Sequence, residues 1–242
     1  MKKSQKKNRT SAAKIQMNDQ LKFQITESFK AIRTNIMFSL LTDGCKKIVV
    51  SSSLAGEGKT TTAVHTAISL AEMETRVLLI DADLRKPKVH QFFHLKNTPG
   101  LTNYFGNMTP LENILQRTDY KNLSVICSGV SVPNPSELLA SEKMAELLRE
   151  LETRFDYIVI DTPPLNVVVD AVPLIKLCNG VILVVRQGSS TYPELNKTVK
   201  NLEMINAKIL GIILNGMAAK PKGGYRYGYQ KYGYGDYSTY GY

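Results

Sequence analysis

The stretch Ser53-Leu54-Ala55-Gly56-Glu57-Gly58-Lys59-Thr60 places a lysine and a hydroxyl directly after two closely spaced glycines. Glycines at 56 and 58 allow neighbouring backbone N–H groups to turn into one concavity, where they bind phosphate oxygens. A helix opening at Lys59 would add its positive end. From Ser53 the spacing is S-x-x-x-x-G-K-T, a phosphate-binding loop with Ser in place of the usual first Gly. In such a loop Lys59 reaches the β- and γ-phosphates and the Thr60 hydroxyl ligates Mg²⁺. Ala55, Gly56, Glu57, Gly58, Lys59, Thr60 and Thr61 are therefore the expected ATP cradle.

Two further stretches end apolar runs in acids. "LLIDADLRKP" (78–87) presents Asp81 and Asp83, and "YIVIDTPP" (157–164) presents Asp161. If both runs are strands of one parallel sheet, their carboxyl ends meet in the crevice where ligands bind in such folds. Beside a magnesium triphosphate, one acid can hold the metal and one can accept a hydroxyl proton. His90 and His94 of "HQFFH" have the spacing of one helical turn but no Glu between them and no third ligand, so no zinc site is expected.

The elements that must carry these residues alternate. Apolar runs at 47–53, 76–81, 123–129, 157–161, 181–186 and 209–214 read as strands. Helical patterns occupy 59–72, 136–155 with Ser136 as N-cap, the stretch after Asp170, and 193–205. The fold class is α/β, doubly wound, with a mostly parallel sheet of P-loop type and helices on both faces. An amphipathic helix over 25–41, with Ile25, Phe29, Ile32, Ile36 and Leu40 on one side, precedes the first strand. "PNPSELL" (133–139) reads as a proline-defined helix start without chemistry of its own.

The net charge is +10, and most of it lies at the ends. Lys2, Lys3, Lys6, Lys7, Arg9 and Lys14 have no acid among residues 1–14, while Lys220, Lys222, Arg226 and Lys231 oppose Asp236 in 219–242. The nearly neutral middle argues against a groove for nucleic acid. The basic ends point instead to anionic lipid or acidic partner segments. Cys45, Cys127 and Cys178 are widely spaced, which excludes a disulfide framework and fits a reducing compartment. No apolar stretch follows the basic start as a signal peptide would require. The longest apolar runs fall short of the ~18 residues needed to span a bilayer, so the chain reads as soluble. Eight of the twelve tyrosines crowd into the last stretch, "YRYGYQKYGYGDYSTYGY". Three regions follow: a basic arm, 1–22; an α/β domain, 23–217; and a tyrosine-rich tail, 218–242, with both ends expected to be disordered.

Lys59-Thr60, the D-x-D-L-R-K-P after the second strand and the D-T-P-P together resemble the Walker A, A′ and B motifs of bacterial tyrosine kinases. These P-loop kinases are encoded with capsule and exopolysaccharide assembly. The resemblance covers roughly residues 20–242 and includes the tyrosine cluster. It implies an ATP- and Mg²⁺-dependent autokinase, with Asp81 as general base and Asp83 and Asp161 joining Thr60 at the metal. Asn215, after the last strand, is similar to an adenine-contacting Asn of related P-loop ATPases. The implied acceptors, phosphorylated in trans, are Tyr225, Tyr227, Tyr229, Tyr232, Tyr234, Tyr237, Tyr240 and Tyr242. None of the eukaryotic kinase signatures is present.

The resemblance also implies a ring of unphosphorylated subunits held through E-x-x-R-x-x-R on the first helix, here Glu27, Lys30 and Arg33. Lys30 cannot supply the bidentate fork of arginine. The other implied partners are a separate membrane-bound activator and a cognate phosphatase, which would place the protein in the cytoplasm at the inner face of the membrane. The alternative is a MinD/ParA-type switch ATPase. Its loop carries an extra lysine where this chain has Leu54, and it leaves the tyrosine tail unexplained.

Overall fold

The computed structural model describes residues 2–168 and 170–217, with side chains from Leu21 onward. The chain opens with α1 (Lys2–Ser39), β1 (Lys46–Ser52), α2 (Lys59–Ala71) and β2 (Val77–Asp81). Three short helices, α3 (Val89–Phe92), α4 (Leu101–Phe105) and α5 (Leu111–Ile114), lead to β3 (Gln116–Arg117) and β4 (Leu123–Ile126). Next come α6 (Pro135–Leu139), α7 (Glu142–Glu152), β5 (Tyr157–Asp161), α8 (Val172–Ile175), β6 (Gly180–Arg186), α9 (Tyr192–Met204) and β7 (Ile209–Asn215).

The strands form one sheet in the order β3-β4-β2-β5-β1-β6-β7. Only β3 runs antiparallel to its neighbour. β2 and β5 are buried along their whole length, as strands covered on both faces must be. On one face, α2 packs Ala63, Val64, Ala67 and Leu70 against Ile48, Val50, Leu79 and Val159. On the other, α7 packs Met144, Leu147, Leu148 and Leu151 against Leu78, Ile80, Ile158 and Ile160. α8 and α9 cover β1 and β6 through Ile175 and Leu202.

Several boundaries differ from the sequence reading. The first helix begins at Lys2, so the basic segment is helical backbone continuous with the packed part of α1. No Gly or Pro interrupts 2–39, and Lys, Gln, Ala and Met favour helix. Along its apolar stripe Ile36 and Leu40 are buried, whereas Ile25 is 41% exposed.

The helix expected over 136–155 is two helices. Ser141 starts the second, its side chain accepting from Met144 N–H, so Ser136 is not the cap of a long helix. The strand expected over 123–129 stops at Ile126. Beyond it, the carbonyls of Cys127 and Ser128 turn to accept from Leu101 and Thr102 N–H. α3 ends at Phe92, and His94 has φ +53°, so His90 and His94 do not stand on one helical turn.

Candidate active site

The loops after β1, β2 and β5 leave the sheet at one edge. Asp81 and Asp161 are register partners across β2 and β5, and Val50 of β1 is opposite Asp161. The sheet itself therefore brings together two of the three acids, with the β1–α2 loop beside them.

That loop is tied on several sides. Gly58 has φ +93°, and a Cβ there would lie 2.1 Å from the Asn215 side chain, so both conformation and space demand glycine. Asn215 Nδ2 donates to the Glu57 carbonyl at 3.1 Å, which places the end of β7 against the loop. The Glu57 side chain is buried and turns away from the concavity. It accepts from Leu54 N–H at 2.8 Å, from Arg186 N–H at 3.3 Å and from the Ser190 hydroxyl. Ser53, the departure from the usual glycine, is hydrogen-bonded to Thr198 of α9 at 2.9 Å in the interior. The composition of the loop announces the phosphate cradle. Apart from the Leu54 contact, these tethers use residues more than 120 positions away and leave no local signal.

Lys59 Nζ lies 2.7 Å from Asp83 Oδ2, 3.8 Å from Asp161 Oδ1 and 3.4 Å from Thr60 Oγ1. Burial opposes the lysine's charge, but Asp161, Asp83 and Asp81 outweigh it and raise its pKa. The ammonium remains charged and is held over the acids. Asp81 is fully buried. Its Oδ1 accepts from Asp83 N–H at 3.2 Å, and its Oδ2 accepts from Lys88 and Val89 N–H at 3.1 and 3.0 Å. Burial and the neighbouring Asp161 push its pKa up to about 7. Asp161 is raised to about 6 by burial, against the pull of Lys59 and of the nearby Thr60 hydroxyl. Neither oxygen of Asp161 accepts a hydrogen bond among the described residues.

The donor set fits magnesium. Thr60, Asp83 and Asp161 offer hard oxygens, and the orphaned Asp161 carboxylate costs free energy until a cation meets it. Among the described residues no group of three or more His, Cys, Asp or Glu could hold a metal unaided. That is compatible with Mg²⁺, which is usually bound through one or two carboxylates together with substrate phosphates and water.

A family model described as an AAA domain matches residues 45–212. The tyrosine-protein kinase YwqD of Bacillus subtilis is 39% identical over 202 residues, covering 84% of this chain and 85% of that protein. The chain belongs to the bacterial tyrosine-kinase family. The kinase domain of Escherichia coli tyrosine kinase ETK superposes with a TM-score of 0.77 at 32% identity, covering 84% of this chain and 80% of that one. The tyrosine-protein kinase ptk of Acinetobacter johnsonii is 38% identical over 190 residues, 78% of this chain but 26% of that longer protein. MinD of Pyrococcus horikoshii, complexed with Mg-ADP, shares the fold alone, at 24% identity and a TM-score of 0.61 over 70% of each chain.

Within this family member, Asp81, Asp83, Asp161 and Asn215 gather around the β1–α2 loop. Glu27, Lys30 and Arg33 do not join it. Lys30 pairs with Glu27 at 2.7 Å on the exposed side of α1. Arg33 donates to the Ser69 carbonyl of α2 at 2.6 Å and lies 3.6 Å from Glu72. The eight tail tyrosines lie outside the described residues. A cluster that sequence reasoning missed stands nearby. Asp170, 2% exposed in its side chain, accepts from Arg85 Nε at 2.6 Å, Arg85 Nη2 at 3.2 Å and the Ser136 hydroxyl at 2.5 Å.

Proposed function

We propose that the protein is a protein-tyrosine autokinase that transfers the γ-phosphoryl group of ATP to tyrosines of its C-terminal cluster on a neighbouring subunit. The observation that carries this is Lys59 held among Asp81, Asp83 and Asp161 at the mouth of a phosphate-binding loop. Incoming phosphates compete with Asp83 for Lys59, and Asn215 borders the nucleotide from the β7 side. Thr60, Asp83 and Asp161 would hold magnesium, which would neutralise charge on the phosphates. Burial and the neighbouring Asp161 raise the pKa of Asp81, the direction that suits a general base, and Asp81 would take the tyrosine proton.

The chemistry needs little beyond positioning and electrostatics. The MinD-type alternative lacks its extra lysine, because Leu54 occupies that position and gives its N–H to Glu57. Among the described residues no helix is long and apolar enough to cross a membrane. A separate membrane-bound activator would hold the kinase at the inner membrane face. The longer relative, only a quarter of which this chain matches, is consistent with additional sequence joined to the kinase in some proteins. The role extends to regulation of capsule or exopolysaccharide synthesis, with a phosphatase resetting the tail. Unphosphorylated tails would dock in neighbouring crevices and close a ring. Phosphorylation of eight tyrosines adds about −12 to −16 charge and drives the subunits apart.

One experiment tests this reading. The protein is incubated with ATP–Mg²⁺, with and without the activator's cytoplasmic segment, and followed by intact mass and light scattering. Phosphotyrosine should accumulate as the assembly mass falls. Lys59→Met should abolish the label on its own and regain it when mixed with active kinase lacking residues 225–242. Label on purified Lys59→Met would sink the assignment of the loop. A constant assembly mass during phosphorylation would sink the charge switch.

A further inference from the structure

The loop that follows β2 is an excursion from residue 82 to 88 that returns its own amides to the acids it carries. Lys86 N–H donates to Asp83 Oδ1 at 3.0 Å, and Lys88 and Val89 N–H donate to Asp81 Oδ2. Within this excursion, Arg85 leans across to Asp170, which lies nine residues beyond Asp161, and Asp170 in turn accepts from Ser136 near the start of α6. Two loops and the first turn of α6 thus meet on one buried carboxylate.

Arg85 is 45% exposed in its side chain, whereas Asp170 is 2% exposed. The fixed end of the pair is therefore Asp170, and the guanidinium is the arm that ties the loop after β2 to it. The contact is bidentate, so it restricts direction as well as distance. None of the P-loop tethers passes through these three residues.

We propose that Asp170, with Ser136, is a positioning residue that clamps the Asp81–Asp83 loop through Arg85. In doing so it sets the alignment of Asp83 and Asp81 for phosphoryl transfer. Misplacing a reacting group by about 1 Å can cost up to ~10²-fold in rate, whereas the phosphate loop keeps its own tethers through Glu57 and Ser53. The rate arm of the test rests on the kinase reading. A second arm does not.

The test compares Asp170→Asn, Arg85→Met, the double variant and Ser136→Ala in the full chain with ATP–Mg²⁺ and activator. Asp170→Asn should lower kcat for tail phosphorylation about ten- to hundredfold, with a clearly smaller loss of Mg²⁺–ATP affinity, since Thr60, Asp161 and the phosphate loop keep their places. Ser136→Ala should lower kcat about two- to threefold, because one of three bonds to Asp170 is lost. The double variant leaves no unpaired buried charge and so stays folded. It should be no slower than Asp170→Asn alone, since both changes undo one contact.

Independently of activity, hydrogen exchange of the Lys86, Lys88 and Val89 amides should speed up at least about tenfold in Asp170→Asn, as local opening predicts. Unchanged exchange at these amides overturns the clamp. So does a fall in nucleotide affinity equal to the fall in kcat, or additive losses in the double variant, which would make Arg85 a direct substrate contact. A wild type that yields no phosphotyrosine overturns the kinase reading instead, and the exchange result still decides the clamp.

Discussion

The ends of β2 and β5 lie side by side and finish in the same residue type, yet they treat it oppositely. Asp81 and Asp161 are register partners, both fully buried. The chain after Asp81 curls back and supplies three N–H donors to its carboxylate. The chain after Asp161 runs Thr162-Pro163-Pro164, and proline has no N–H to give. Asp161 is left without a hydrogen bond, facing Lys59 at 3.8 Å. One strand end builds its acid into the protein, and the other keeps its acid bare for a cation.

The sharpest way to separate the two ends is to neutralise each in turn. Asp81→Asn should leave ATP–Mg²⁺ affinity within about tenfold and lower phosphoryl transfer by roughly 10²–10⁴, the range for loss of a general base. Equal losses in isothermal titration and in phosphotyrosine formation would make Asp81 a metal ligand and erase the contrast.

Asp161→Asn should act in the other direction on the empty protein. Both acids have pKa values raised above the unfolded value, to about 7 and about 6. The folded state therefore retains protons that the unfolded chain has already released. The stability this provides is complete at low pH and is lost as pH rises from about 4 through about 7. Removing the bare carboxylate should flatten that decline and raise Tm at pH 7.5 by about 2–4 °C without nucleotide. It should also weaken Mg²⁺-dependent nucleotide binding about ten- to hundredfold. A melting curve whose pH dependence matches the wild type would mean that Asp161 is ionised throughout.

The smallest effect belongs to the far side of the phosphate loop. Thr198→Val removes the partner of Ser53 and should cost about 0.5–1.5 kcal/mol in denaturant unfolding. Phosphotyrosine formation should stay within about twofold, since the hydrogen bond lies behind the loop. A large rate loss at unchanged stability would show that the loop's outer anchor, like the β2 end, helps to align the chemistry.

The sequence by itself determined the alternation of strands and helices, the phosphate loop and the two acid-bearing strand ends. Each is a local pattern: apolar runs of strand length, glycines where backbone must turn inward, acids where a buried strand stops. The bare state of Asp161 was not read from the chain, although Pro163 and Pro164 have no N–H to donate. Other features depended on which surfaces meet. The break at Ser141 was decided by competition between a local cap and helix continuation, and Ser136 was freed to reach Asp170. Glu57 turned inward because donors from the end of β6 and the segment beyond it lie behind the loop. Arg33 was drawn to α2 because α1 packs there. The fold settles such contacts, because pairs like Arg85–Asp170 and Glu57–Ser190, 85 and 133 positions apart, depend on three-dimensional proximity, and the spacing of residue types along the chain holds no trace of it.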